Sequence, residues 1–174
     1  MPVNLELKAK LVHPKKVLRT LKDLGNPSEK LIQTDTYFLV GDGRLKLREF
    51  GNGSSELIHY VRNEGEGKRW SRYDILPVSE PTETKGFLRR AFGIDVVVKK
   101  SRLVYFYKKQ ARIHLDKIRG LGLFIEFEVY SKKNRQRPVH IYRELVSMFG
   151  IEKESIIRCS YADLMRTKIK AMKR

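Results

Sequence analysis

The chain has 174 residues, 41% of them hydrophobic, enough for one well-cored domain and short for two. Its 37 Lys and Arg against 20 Asp and Glu give a formal charge of +17, which favours an anionic partner: nucleic acid, an anionic membrane or a phosphorylated small molecule. A single cysteine, Cys159, excludes an internal disulfide framework or a multi-cysteine zinc site, and neither a secretory apolar segment nor the ~18 apolar residues of a membrane span is found, so one soluble, cytoplasmic domain over 1–174 is expected.

At the N-terminus Leu5, Leu7, Ala9 and Leu11 alternate with Asn4, Glu6, Lys8 and Lys10, the period of a strand with one apolar and one charged face. Pro14, then Val17, Leu18, Leu21 and Leu24 at helical spacing, then Gly25, predict a helix over 14–24. The Thr, Tyr, Phe and Val content of 33–40 predicts a strand. Gly41-Asp42-Gly43 turns it into 44–50, Gly51-Asn52-Gly53-Ser54 turns that into 56–63, and Gly65 and Gly67 lead into 68–78, an antiparallel meander. Pro81 opens a helix to about 92 that Gly93 closes, and strands resume over 94–130, broken near Lys109-Gln110 and Gly120-Leu121-Gly122. Tyr142, Leu145, Val146 and Phe149 predict a helix from Pro138 to Gly150, and 160–172 a last one rich in bases. There is no linker, low-complexity stretch or internal repeat. The expected class is α+β: an eight-stranded antiparallel β-barrel, closed or nearly so, with helices packed outside.

The charged faces collect Arg44, Lys46 and Arg48; Tyr60 and Arg62; Arg72 and Asp74; Arg112, His114 and Asp116; and Glu126 and Glu128. For any one strand a solvated charged face is the ordinary outcome. Together, however, these faces hold few Ser, Thr, Asn or Gln and repeat Arg, Lys and Glu at same-side positions. With helices at 14–24, 81–92 and 138–149 covering an apolar outside, they would line a polar interior. Like charges ~6 Å apart at an effective dielectric of ~20 repel by roughly 3 kcal/mol, so such an interior needs an anion. A triphosphate with a divalent metal supplies it, and carboxylates are the hard oxygen donors that Mg²⁺ or Mn²⁺ take. His114 reads as a ligand, an acid-base group, a phosphate donor or a satisfied barrel histidine; a lone His lacks metal-site spacing.

The segment NLELK (4–8) resembles the Glu-x-Glu-x-Lys signature of the CYTH domain, the triphosphate tunnel metalloenzymes. The likeness continues in order through QTDTYF (33–38), GRLKLRE (43–49), HYVR (59–62), SRYD (71–74), KSR (100–102), RIHLDKIRGLGLFIEFE (112–128) and SYADLM (160–165), and is greatest to the class IV adenylyl cyclase branch. The resemblance implies an eight-stranded tunnel in which Glu6, Glu126 and Glu128 are metal ligands for Mg²⁺ or Mn²⁺, with Asp116 beside them as ligand or water-positioning group. It implies phosphate contacts from Lys8, Arg44, Lys46, Arg48, Arg62, Arg72, Lys100, Arg102 and Arg112, with Lys8 and Asp116 as catalytic residues. Asn4 stands where the family usually carries a carboxylate. An amide oxygen attracts a hard cation less, so the number of metals, one or two, stays open.

A cyclase of this kind converts ATP to cyclic AMP and pyrophosphate; an inorganic or organic triphosphatase directs water at the terminal phosphorus, and the fold does not choose between them. From another class, a non-catalytic polyphosphate- or RNA-binding module also fits the charge. Trp70, Tyr60 and Tyr73 are candidates to stack a base or to fill the core, and Cys159 reads as packing. The bases Arg166, Lys168, Lys170, Lys173 and Arg174 suit either nucleic acid, a secondary partner here, or a solvated helix end. Monomer and homodimer both remain open, and no membrane partner is expected.

Overall fold

The computed structural model describes residues 3–62, 69–131 and 136–173, with side chains for 5–61, 74–130 and 138–173. In chain order the elements are β1 (Val3–Lys10), α1 (Lys15–Asp23), β2 (Glu29–Phe38), β3 (Arg44–Phe50), β4 (Ser55–Arg62), β5 (Arg69–Pro77), α2 (Pro81–Phe92), β6 (Ile94–Tyr107), β7 (Ala111–Ile118), β8 (Gly122–Ser131), α3 (Gln136–Phe149), a 3-10 turn (Lys153–Ser155) and α4 (Tyr161–Met172). The turn expected at Gly65 and Gly67 lies outside the described residues. β2 starts four residues before the expected 33 because the 14-residue β6 offers it partners, Glu29 opposite Val104 through Ile32 opposite Ser101.

The strands close into an antiparallel barrel in the order β1-β5-β4-β3-β2-β6-β7-β8. β1 completes the ring, pairing with β5 on one side and β8 on the other. Closure leaves no unpaired strand edge for another chain to extend. At the β2–β3 turn Gly43 has φ +65°, and a Cβ there would stand 2.8 Å from the Tyr60 carbonyl oxygen, so the turn needs glycine to lie against β4.

The apolar faces point outward and are covered by helices. Leu5, Leu7 and Ala9 of β1, Ile113 of β7 and Ile125, Phe127 and Val129 of β8 are fully buried beneath Val17 and Leu21 of α1 and Ile141, Leu145 and Phe149 of α3. α2 seals a smaller outer core through Leu88, packed with Phe38 and Leu47. α4 behaves differently. Its Tyr161 and Ala162 pack with Tyr37, Tyr60, Val96, Val98, Ile118 and Phe124, residues that alternation places on the inner face, so the first turn of α4 seats in one end of the barrel. No helix among the described residues is long and apolar enough to cross a membrane.

Candidate active site

Because the apolar faces are spent on the helices, the alternate residues turn inward and line a cavity of about 370 Å³. It contains Lys8, Lys46, Arg48, Lys100, Arg102 and Arg112 together with Glu6, Glu126 and Glu128, so most of the expected charged residues do meet. Register explains the arrangement: successive inward rungs run Val104, His114, Glu126, Lys8 and, one rung on, Phe106, Arg112, Glu128, Glu6.

The basic part of the tunnel is organised by a residue the sequence reading passed over. Asp35, 1% exposed, accepts from Arg48 Nε at 2.7 Å and Nη2 at 2.8 Å, from Lys46 Nζ at 3.0 Å and from Lys100 Nζ at 3.2 Å. Burial pushes its carboxyl up, but Arg48, Lys100 and Lys46 together outweigh that and hold it well below the usual carboxylate range. Burial and then the Arg48 charge push the Lys46 ammonium down, and the same causes push Lys100 down to about 8. One carboxylate among three cations leaves an excess of positive charge in a desolvated site. The signal for Asp35 was the Gln33, Asp35, Tyr37 alternation within a segment read for its strand propensity and its family likeness, with no role given to Asp35.

The acidic wall lies on β1 and β8. Glu126 Oε2 accepts from Arg102 Nη2 at 2.6 Å, and its Oε1 faces Lys8 Nζ at 3.6 Å. Glu128 Oε2 accepts from Arg112 Nη2 at 2.8 Å. Burial raises both carboxyls, but Lys8, His114 and Arg102 for Glu126, and His114 with Arg112 for Glu128, bring them below the ordinary value. His114 approaches Glu126 and Glu128 at 3.7 and 3.8 Å, so β7 places an imidazole against the pair. The Lys8 ammonium also stands 4.1 Å from the Tyr161 ring centroid, a cation–π contact that ties the tip of α4 to the site.

Several expected residues sit elsewhere. Asp116 is fully buried on the inner face of β7, one rung from His114: its oxygens accept from Arg102 Nε and Nη2, both at 2.6 Å, and from the Tyr161 hydroxyl at 2.9 Å. With those bonds it orients Arg102, and it is not among the cavity-lining residues. Arg44 is at the rim, donating to Asp163 at 2.9 Å and lining a second cavity of about 580 Å³ with Arg166 and Asp95. Asp74, grouped by alternation with Arg72, is exposed, and Ile75 faces the tunnel instead: both faces of β5 mix polar and apolar residues, so its pattern does not say which is inner. Tyr60 lies in the tunnel wall. The side chains of Asn4, Arg62, Trp70, Arg72 and Tyr73 lie outside the described residues. Ser160 and Tyr161, at the start of α4, line the tunnel without any periodic signal in the sequence.

No protein-family model matches the chain. A Methanocaldococcus jannaschii protein provisionally named an adenylate cyclase is 25% identical over 173 residues, spanning 93% of this chain and 98% of its own. The solved structure of the PH1012 protein from Pyrococcus horikoshii superposes with a TM-score of 0.81 at 22% identity, over 92% of this chain and 98% of that one. HpAC1 from Hippeastrum, provisionally named an adenylyl cyclase and described as having a dominant triphosphatase activity, superposes with a TM-score of 0.71 at 15% identity, over 97% and 96%. These likenesses give the chain the fold of the structures named, an antiparallel barrel around a charged tunnel.

Proposed function

We propose that the protein is a metal-dependent enzyme that holds a triphosphate in the tunnel, with a class IV adenylyl cyclase-like reaction as its activity. The single observation that carries this reading is the Asp35 cluster, where Lys46, Arg48 and Lys100 share one buried carboxylate and retain positive charge for an anion. Lys8, Arg102 and Arg112 extend that surface toward the acidic wall, and Arg44 and Arg62 are proposed as further phosphate contacts, whereas Arg72 shares the face of β5 on which Asp74 turns out. Glu126 and Glu128, with Glu6 beside them, are the oxygen donors for Mg²⁺ or Mn²⁺. When bound, the ion polarises phosphoryl oxygens and offsets charge on the leaving group.

In the cyclase reaction the ribose 3′-hydroxyl of ATP attacks the α-phosphorus, the bond to the β-phosphoryl oxygen breaks, and the hydroxyl proton leaves with the expelled pyrophosphate, leaving cyclic AMP. The guanidinium groups clamp charge that develops on the phosphoryl oxygens, and Asp116 keeps Arg102 in place for that task. The test is a substrate panel with Mg²⁺ or Mn²⁺. Cyclic AMP and pyrophosphate from ATP are expected; with neither ATP nor tripolyphosphate consumed from neutral to alkaline pH, the enzyme reading fails.

A second reading is a triphosphatase in the same tunnel, with water attacking the terminal phosphorus, and the name of the Hippeastrum structure favours it. Phosphate release from tripolyphosphate without cyclic AMP from ATP selects that reading.

A further inference from the structure

His114 carries an anomaly that the proposed function does not use. Its side chain is 3% exposed and its Nδ1 is buried without a hydrogen-bond partner. The nearest carboxylate oxygens, Glu126 Oε2 and Glu128 Oε1, stand at 3.7 and 3.8 Å, beyond hydrogen-bond reach. A buried ring nitrogen held only by these loose contacts is costly, and an ion shared with the two carboxylates would satisfy it. Ligand atoms of His114, Glu126 and Glu128 all lie within 4.8 Å of one another. Donors each about 2.1 Å from one ion stand roughly 3–4 Å apart, so small side-chain rotations would bring all three onto a shared centre.

We propose that His114 Nδ1, Glu126 and Glu128 form a mixed nitrogen–oxygen site that takes a divalent first-row transition ion in preference to Mg²⁺. Imidazole suits transition ions, whereas Mg²⁺ selects oxygen donors and sheds water reluctantly. The strands supply the geometry. His114 and Glu126 are directly paired across β7 and β8, and Glu128 follows two residues on along the same face. Lys8, Arg102 and Arg112 already contact the two carboxylates, so a dication without an anion meets residual positive charge and binds more weakly than the donor set alone would give. The proposal rests on the proposed function only in sharing Glu126 and Glu128, and ion binding is read without turnover.

The test titrates metal-free full-length protein with Mn²⁺, Co²⁺ and Mg²⁺ by calorimetry, with no triphosphate present, and records electron spin echo modulation of the Mn²⁺ complex. Expected are at least about tenfold tighter binding of Mn²⁺ or Co²⁺ than of Mg²⁺, and ¹⁴N modulation from a coordinated imidazole. His114→Asn should abolish the modulation and most of the preference. Equal affinities without ¹⁴N modulation, or no ion bound at all, would overturn the site, and both are read on the wild-type protein even if His114→Asn fails to fold. Nitrogen-coordinated ion in a protein that turns over no triphosphate supports the site while sinking the enzyme reading.

Discussion

Arg48 and Asp35 face each other across β2 and β3 as a bidentate pair, Nε to Oδ1 at 2.7 Å and Nη2 to Oδ2 at 2.8 Å, with Lys46 and Lys100 bonded to the same carboxylate. Two parallel charge-assisted bonds fix the guanidinium plane, so the cationic surface is shaped before any ligand arrives.

Asp35→Asn should therefore destabilise the empty protein by about 3–5 kcal/mol, because three buried cations lose their shared counter-charge. Tripolyphosphate should recover more stability in the variant than in the wild type. Urea unfolding with and without tripolyphosphate reads both effects, and an unchanged midpoint in the variant would show that Asp35 does not hold the cluster. For the wild type, the depressed Asp35 carboxyl contributes stability that is present above its unfolded value of 3.8 and is lost as pH falls through its lower folded value.

Lys100 titrates near 8 in the empty tunnel against 10.5 when unfolded. Between those values the unfolded chain holds more protons, so this residue penalises the fold most below pH 8 and the penalty lifts as pH rises toward 10.5. Anion binding has the opposite sign, since a triphosphate favours the charged ammonium. Affinity should weaken as pH rises above 8, and binding there should take up a proton. Calorimetry in buffers of differing ionisation enthalpy measures that uptake; none at pH 9 would place the Lys100 ammonium outside the anion site.

Glu126 and Glu128 should separate when each becomes Gln. Glu126 is bonded to Arg102 at 2.6 Å and is 8% exposed, so Glu126→Gln should cost stability of about 1.5–3 kcal/mol as well as metal-dependent turnover. Glu128 is more open and bonds the partly exposed Arg112, so Glu128→Gln should lose turnover with a smaller fall in melting temperature. Wild-type turnover in either variant removes that residue from the metal site.

Salt should distinguish the tunnel from the basic exterior. Counterion release makes nucleic-acid affinity fall steeply with salt, while Lys46 and Lys100, 8% and 6% exposed, are poorly screened. Tripolyphosphate affinity between 50 and 200 mM salt should fall by less than about tenfold, against the far steeper loss of a protein making many phosphate contacts on RNA. Equal slopes, with no competition between the two ligands, would favour a surface binding module.

Period-two alternation is a local property, and it was enough to locate the strands and to mark Lys46, Arg112 and Glu126 as members of charged faces, because backbone pleating alone sorts neighbours to opposite sides. The helices were legible for the same reason, from spacing and from Pro14, Pro81 and Pro138. Which charges meet was not local. Asp35 gathers cations from β3 and β6, strands that flank β2 but are separated from each other by two further strands and a helix in the chain, and Asp116 reaches Tyr161 only because α4 folds back into the barrel mouth. Nor could alternation choose the inner face of β5, where Asp74 turns out and Ile75 in. The sequence by itself determined a barrel with an ionic lining; only closure of the ring, which pairs strands far apart in the chain, decided which carboxylate answers which base.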